Sequence, residues 1–516
     1  MITGVERAIY ANPHGDRTTE DAGYEEPTRA EEFVDHTARE EKRNVLIVVS
    51  YEGDLDPMDL HNLPVLRRLA YTTLISLLGA LTLFSSTIDP LALIETTQVF
   101  HTTFEVQSLP TGRFSCSRPA LFLILSGLGS VLTGPLSEVM GRNPVYIVCL
   151  TLFILLDSGA ALAQNVVQRI LCRGLVGLFA SGPLVCSGVA LVDLWSLVER
   201  VYVFHYYAMI IELGATVGPV PGSYIVMATA VSWRFVDWAT IILAGALLTL
   251  VVLFLPETYS PVLLRWKAQQ LRRLTGDDRY RAPLEFKKVS LPRRLRNAFS
   301  RSILFFWTEP IIVIFAGYMA TVFIIRYTFT AGFTSIFEDT YKLNKGVTGL
   351  CFLAISTGIV LASYLAPTPT TLADTTCRDP NPNVTYTWSC SKHRESQYNY
   401  SGWAGQLVPQ SRYGVPCPWH SCVWIRRLGV VVASYQYIAA TFEYYTASAL
   451  STIQATRVTA AGMMAVLAQI MYKNLGAAWT LTLLGGIAML FLPLPYLLFK
   501  WGSRVRHSSR LAREHE

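Results

Sequence analysis

Charge is what this chain has least of. Only 16% of its 516 residues are Asp, Glu, Lys or Arg, while 51% are hydrophobic and the mean hydropathy is +0.35. Soluble domains carry charge on about a quarter of their residues, so an ordinary soluble fold is excluded. Motifs that drive chemistry are missing as well. There is no Gly-x-x-x-x-Gly-Lys-Ser/Thr loop for ATP, no His-Glu-x-x-His helix and no Gly-x-Gly-x-x-Gly fingerprint. A Gly-x-Ser-x-Gly elbow is also lacking. The expectation is neither an enzyme nor a cofactor-binding protein. The net charge of +6 does not imply nucleic acid, because the basic residues cluster in polar connections between apolar runs. No cleavable signal is read at the amino terminus.

What is present is a series of uninterrupted apolar runs, each near the roughly 20 residues that match a hydrocarbon core. Spans are expected near 68–89, 119–137, 143–163, 170–193, 205–228 and 236–255, then near 304–328, 346–366, 425–442, 446–472 and 476–499. The fold class is an all-α polytopic membrane protein. Residues 1–66 read as a disordered cytosolic tail, 67–255 as an amino-terminal six-helix bundle and 256–302 as a basic cytosolic linker. Residues 303–500 read as a carboxy-terminal bundle with an irregular insertion at 367–427, and 501–516 as a second cytosolic tail. The arginine-rich linker should face the cytosol, which puts both termini inside. Val45-Leu-Ile-Val-Val49 is too short to span.

One block stands at the junction of the second and third runs: Gly134-Pro-Leu-Ser-Glu138-Val-Met-Gly141-Arg142-Asn-Pro-Val-Tyr146. Its glycines permit a tight turn and close helix approach, and Glu138 and Arg142 can enter a charge network at the membrane face. The plainer reading is a polar turn between buried helices. Gly214, Gly218 and Gly222 recur every four residues and so share one helix face. Pro219 bends that helix, and together they read as a packing seal. Arg173 lies inside an apolar span, where a lone charge costs several kcal/mol unless paired or wetted.

In the order in which they occur, these blocks resemble a major facilitator superfamily transporter of the fungal twelve-span drug:proton antiporter branch. Gly134–Tyr146 resembles the loop motif between spans 2 and 3, with Glu138 where many members have Asp. Arg173-Gly-Leu-Val-Gly177 resembles the span 4 arginine motif, and Leu213-Gly-Ala-Thr-Val-Gly-Pro-Val-Pro-Gly222 the span 5 antiporter motif. Asp193-Leu-Trp195, Glu199-Arg200, Leu255-Pro-Glu-Thr-Tyr259, Tyr445-Thr-Ala-Ser-Ala-Leu450, Arg457 and Met471–Gly476 also fit. The resemblance implies two six-helix bundles, with the ninth span poorly formed here, and a mid-membrane cavity. It implies proton-coupled export of a small amphipathic compound, such as a drug, toxin or fungal secondary metabolite. An importer of a nutrient or polyamine, or a non-transporting relative, are the alternatives. A multi-pass monomer of the plasma membrane is expected, with the small molecule, protons and bilayer lipid as its only partners.

Other charges inside the spans each have two readings. Glu212, Asp157 and Asp89 are candidates for carrying protons with Arg173, and Arg326 with Tyr327 for contacting substrate by charge or cation–π attraction. Each is otherwise a charge that snorkels or pairs locally. Residues 367–427 contain no run long enough to span, and the turn sequences Thr368-Pro-Thr-Thr and Asp379-Pro-Asn-Pro382. They hold Cys377, Cys390, Cys417 and Cys422 beside His393 and His420, in a spacing that fits no standard zinc finger, so no metal is expected. Asn383 and Asn399 head glycosylation sequons. The resemblance stops near Leu365 and resumes near Leu428, and 112–119 reads as a smaller insertion, the pattern of an unspliced intron or a frame error.

Overall fold

The structure, a computed structural model, describes residues 9–10, 46–51, 56, 58–92, 96, 111–228, 232–286, 291–334, 337, 342–364, 431–432, 434–439, 441–442 and 446–491. The chain forms two compact units, residues 1–64 with 257–290 and residues 65–256 with 291–516.

Helices build the larger unit. In chain order they are α1 (Val65–Ile88), α2 (Thr111–Met140), α3 (Arg142–Ala161), α4 (Val166–Leu194), α5 (Leu197–Val217), α6 (Pro219–Met227) and α7 (Phe235–Phe254). After α8 (Ser260–Thr275) of the smaller unit come α9 (Leu291–Thr308), α10 (Pro310–Thr334), α11 (Lys345–Tyr364) and α12 (Thr446–Phe491). Among the described residues seven helical stretches are long and apolar enough to cross a membrane: Val65–Ala92, Pro119–Met140, Arg142–Ala161, Val166–Leu194, Tyr202–Met227, Phe235–Phe254 and Pro310–Gly332. The first six are the spans expected of the amino-terminal bundle.

Several local details follow from the residues. Gly141, at φ 99°, is the only residue between α2 and α3, and this left-handed backbone favours glycine. The junction read as a loop is therefore one residue long, and Gly134 and Glu138 stand within α2 itself. Ser196 and Glu199 form a capping box at the start of α5. Burial raises the Glu199 carboxyl, but bonds from Arg68 and Ser196 outweigh it and hold it below the usual range. Pro219 starts α6 and splits the fifth span in two.

The second half departs from the expected spacing. The seventh span begins at Pro310 rather than 304, because 304–308 belong to α9. The apolar part of α11 covers only Lys345–Leu361. Residues 446–472 and 476–499 were expected as two spans. Within α12 the helix breaks at their junction: Gly476 is non-helical at φ 78°, and Ile470–Gly476 and Trp479–Phe491 are bent by 113°. Residues 112–119, read as an insertion, continue α2 as helix. The ninth span, the Cys/His cluster, Asn383 and Asn399 lie outside the described residues.

Packing in the larger unit joins α1 to α5, α3 to α4 and α7, and α2 to α4 and α12, while α10 lies on α12 and α11 on α5 and α6. Large apolar residues left exposed, such as Leu155, Ile242, Leu253 and Phe254, are the side chains a bilayer would cover.

In the smaller unit, three short strands are described. The apolar run at 45–49, too short to span, is long enough for a strand. β2 (Leu46–Val48) pairs antiparallel with β1 (Ile9–Tyr10) and parallel with β3 (Tyr280–Arg281). Val49 packs with Ala268 and Ala282, and Lys267 Nζ meets Asp56 at 2.7 Å.

Candidate functional site

A buried ion cluster closes one end of the amino-terminal bundle. Arg169 and Arg173 are one helical turn apart on α4, so both side chains leave the same face. Arg173 hydrogen-bonds Asp157 of α3, and its Nη2 donates to the Ser85 carbonyl oxygen of α1 at 2.7 Å. Its Nε lies 3.7 Å from Asp89, in the 3-10 turn Asp89–Ala92 that follows α1. Arg169 donates to Asp237 of α7 at 2.6 Å and to Asp89 at 3.1 Å, with its guanidinium 4.2 Å from the Trp233 ring centroid. Thr240 donates to the second Asp157 oxygen at 2.5 Å. All five charged side chains are at least 97% buried.

Three carboxyl groups thus face two guanidinium groups. The sequence reading found Arg173, Asp157 and Asp89 but missed Arg169 and Asp237. Both sit at the edge of an expected span, where a charge reads as a helix end. The available signal was the four-residue spacing of Arg169 and Arg173.

At the opposite end, Glu138 and Arg142 contact different partners. Glu138 accepts from Arg301 of α9 at 2.6 Å and from the Ser448 backbone N–H and hydroxyl of α12 at 3.0 and 2.8 Å. Arg142 turns to Asp193 of α4 at 3.2 Å and to the Ser137 hydroxyl. Close approach of α2 to α12 makes the Glu138 contact reachable: a Cβ on Gly134 would lie 2.7 Å from Ser451 Oγ. Glu138→Gln removes the charge from the Arg301 pair and should loosen this end. With Ser451→Cys as reporter, alkylation at that position is expected to speed up by about tenfold, the equivalent of about 1.4 kcal/mol. An unchanged rate would show that Glu138 holds nothing closed.

The glycine face of the fifth span packs onto α1. A Cβ on Gly214 would fall 2.8 Å from Ala80 Cα, and one on Gly222 2.9 Å from Ile88 Cγ1. These glycines therefore bind helices within one bundle. The contact with the second half is made by Thr216, Pro219 and Ser223: Ser356 of α11 donates to Thr216 at 2.8 Å, and Gly349 approaches Pro219 and Ser223.

Glu212 and Arg326, assigned separate roles in the sequence reading, form one buried pair at 3.1 Å between α5 and α10. Arg326 also lies 5.5 Å from the Tyr327 ring centroid. Neither Arg326 nor Tyr327 lines the nearby cavity. Glu212 does, with Leu83, Leu184, Tyr207, Ile211, Phe323, Tyr435 and Arg457.

Membrane-length helices with paired charges inside them, packed around a mostly apolar cavity, define a polytopic membrane protein built as transporters are. The chain belongs to the Major Facilitator Superfamily, whose family pattern matches residues 73–373. It is 31% identical over 492 residues to the MFS-type transporter kojT of Aspergillus flavus, covering 90% of this chain and 82% of the relative. It is 25% identical over 471 residues to the major facilitator superfamily multidrug transporter FLU1 of Candida albicans, covering 90% and 76%. Among solved structures, the human organic anion transporter MFSD10 (TETRAN) superposes with a TM-score of 0.56 at 17% identity, over 84% of this chain and 100% of that one. The proton:xylose symporter XylE superposes with a TM-score of 0.59 at 14% identity, over 84% and 95%. At such identities the two structures speak to the fold alone.

Proposed function

We propose that the chain is a proton-coupled transporter that exports a small amphipathic compound, with the Asp89–Asp157–Asp237–Arg169–Arg173 cluster as its proton-carrying element. The observation that carries this reading is the imbalance of three carboxyl groups against two guanidinium groups, all buried. Binding or release of one proton there changes the charge pairing of α1, α3, α4 and α7 together, which biases one helix arrangement over another. The Glu138 contacts at one end and the Thr216–Ser356 contact between α5 and α11 are the parts that such a bias would open or close. Export is supported by the span 5 motif and by the multidrug transporter among the relatives.

On this reading the basic stretch 256–302 and both termini face the cytosol, the protein works as a monomer in the plasma membrane, and it catalyses no covalent step. Asn383 and Asn399 stay unmodified in that orientation.

Reconstitution with an imposed pH gradient tests the proposal. Proton-driven uptake into inside-out vesicles is expected. Flux of the opposite polarity would make the chain an importer, and absence of any gradient-driven flux would make it a non-transporting relative. For residues 367–427 and 112–119, the transcript is the check: a cDNA encoding both stretches unchanged would end the intron reading.

A further inference from the structure

Among the described residues, the other buried arginines have carboxylate partners. Arg68 meets Glu199, Arg142 meets Asp193, Arg169 and Arg173 share three aspartates, and Arg326 holds Glu212. Arg457, in α12, is the contrast. It is 6% exposed and lines the cavity, yet among the described residues it makes no ion pair. Its guanidinium is held by rings instead, 4.3 Å from the Phe323 centroid and 5.2 Å from that of Tyr435, whose hydroxyl is its hydrogen-bond partner. Arg457 Nε has no hydrogen-bond partner.

A second orphan donor lies one turn away. Tyr435 donates to Gln454 Oε1 at 3.2 Å, which fixes the amide and leaves Gln454 Nε2 buried without a partner. Gln454 is 2% exposed. A buried cation without a counter-charge and a buried amide without an acceptor are each costly to keep. Arg457 lines the cavity and Gln454 does not, so the one ligand group that relieves both is an oxyanion seated at Arg457 and reached by Gln454 Nε2 from outside the lining. The remaining wall suits the rest of such a ligand, with Leu83, Leu184, Ile211 and Phe323 offering apolar and aromatic surface.

We infer that Arg457 and Gln454 form the anion subsite of the cavity, and that the cargo is an amphipathic organic acid whose carboxylate binds there. This deepens the proposed transport function and rests on it for the word cargo. Glu212, in the same lining, is paired with Arg326 at 3.1 Å. The subsite also gives the cavity its selectivity. A neutral isostere leaves both donors unmatched, and an amine adds a second positive charge beside Arg457.

The test uses the full chain in detergent and in proteoliposomes, with phenylbutyrate and its neutral isostere phenylbutyramide as probes. The acid is expected to bind about tenfold or more tightly than the amide, read by tryptophan fluorescence or thermal shift. Arg457→Gln should erase that preference while leaving amide binding unchanged, and Gln454→Leu should reduce it. Arg457→Lys, which keeps the charge, should retain part of it and serves as the check where Arg457→Gln folds poorly. Equal binding of acid and amide by the native chain overturns the inference, as does a preference that survives Arg457→Gln. Acid-selective binding without gradient-driven flux would sink the transport reading and leave the subsite standing. Flux with no preference for the acid would do the reverse.

Discussion

Arg173→Ala is expected to abolish gradient-driven flux and to destabilise the protein by about 3–5 kcal/mol. The guanidinium that is lost faces Asp157, Asp89 and Asp237, and it satisfies the Ser85 carbonyl oxygen as well. Removing it leaves three buried carboxyl groups with Arg169 alone. The cost comes mainly from those unpaired groups, so a second change should recover part of it. In Arg173→Ala with Asp157→Asn, one acid is removed along with one cation, and Asp89 and Asp237 keep Arg169. Stability should therefore rise above that of the single variant by at least about 1 kcal/mol, while flux stays lost. Thermal unfolding of the two variants and their parent in detergent reads this cycle. A single variant that unfolds with its parent would remove Arg173 from the role of central cation.

Gly214→Ala is the second large effect. The added methyl would meet the backbone of Ala80 in α1, which has no rotamer to turn aside. Spans one and five must then separate, at a cost of about 1–3 kcal/mol. Flux should fall sharply, because the same helix carries Glu212 and reaches α11 through Thr216. Gly245→Ala supplies the control. Nothing lies within 4 Å of a Cβ there, so it should be neutral or stabilise by up to about 1 kcal/mol through helix propensity. Equal melting of the two variants would show that close approach at Gly214 is not under constraint.

Much of the first half was legible because each of its spans is one apolar run and each polar interruption is short. Length against bilayer thickness then fixes both number and order. What pairs with what was less legible. Arg169 and Asp237 sit at span edges, where sequence alone gives a charge no partner. Glu212 and Arg326 are 114 residues apart, and nothing local announces that they meet. Glu138 and Arg142 were read as one network from their nearness in sequence. A single left-handed glycine sends them to different helices instead. The strand at 46–48 was hidden for a related reason. A short apolar run is assigned by its partners, and here they are Ile9–Tyr10 and Tyr280–Arg281, neither of them local.

The ion cluster also has a mechanical grain. Asp89 lies within 3.7 Å of both arginines and Asp237 within 3.9 Å of both, whereas the ion pairs of Asp157 are with Arg173 alone. Two double ties and one single tie do not make an even frame. The ends of α1, α4 and α7 are triangulated by ion pairs, like the braced members of a truss, while α3 joins them through one ion pair and the hydrogen bonds of Thr240 and Arg169. A proton placed on Asp157 would weaken one ion pair and leave the triangle standing. One placed on Asp89 or Asp237 would slacken two members at once. The same charge added at neighbouring positions therefore has unequal leverage: one ion pair at Asp157, two at Asp89 or Asp237.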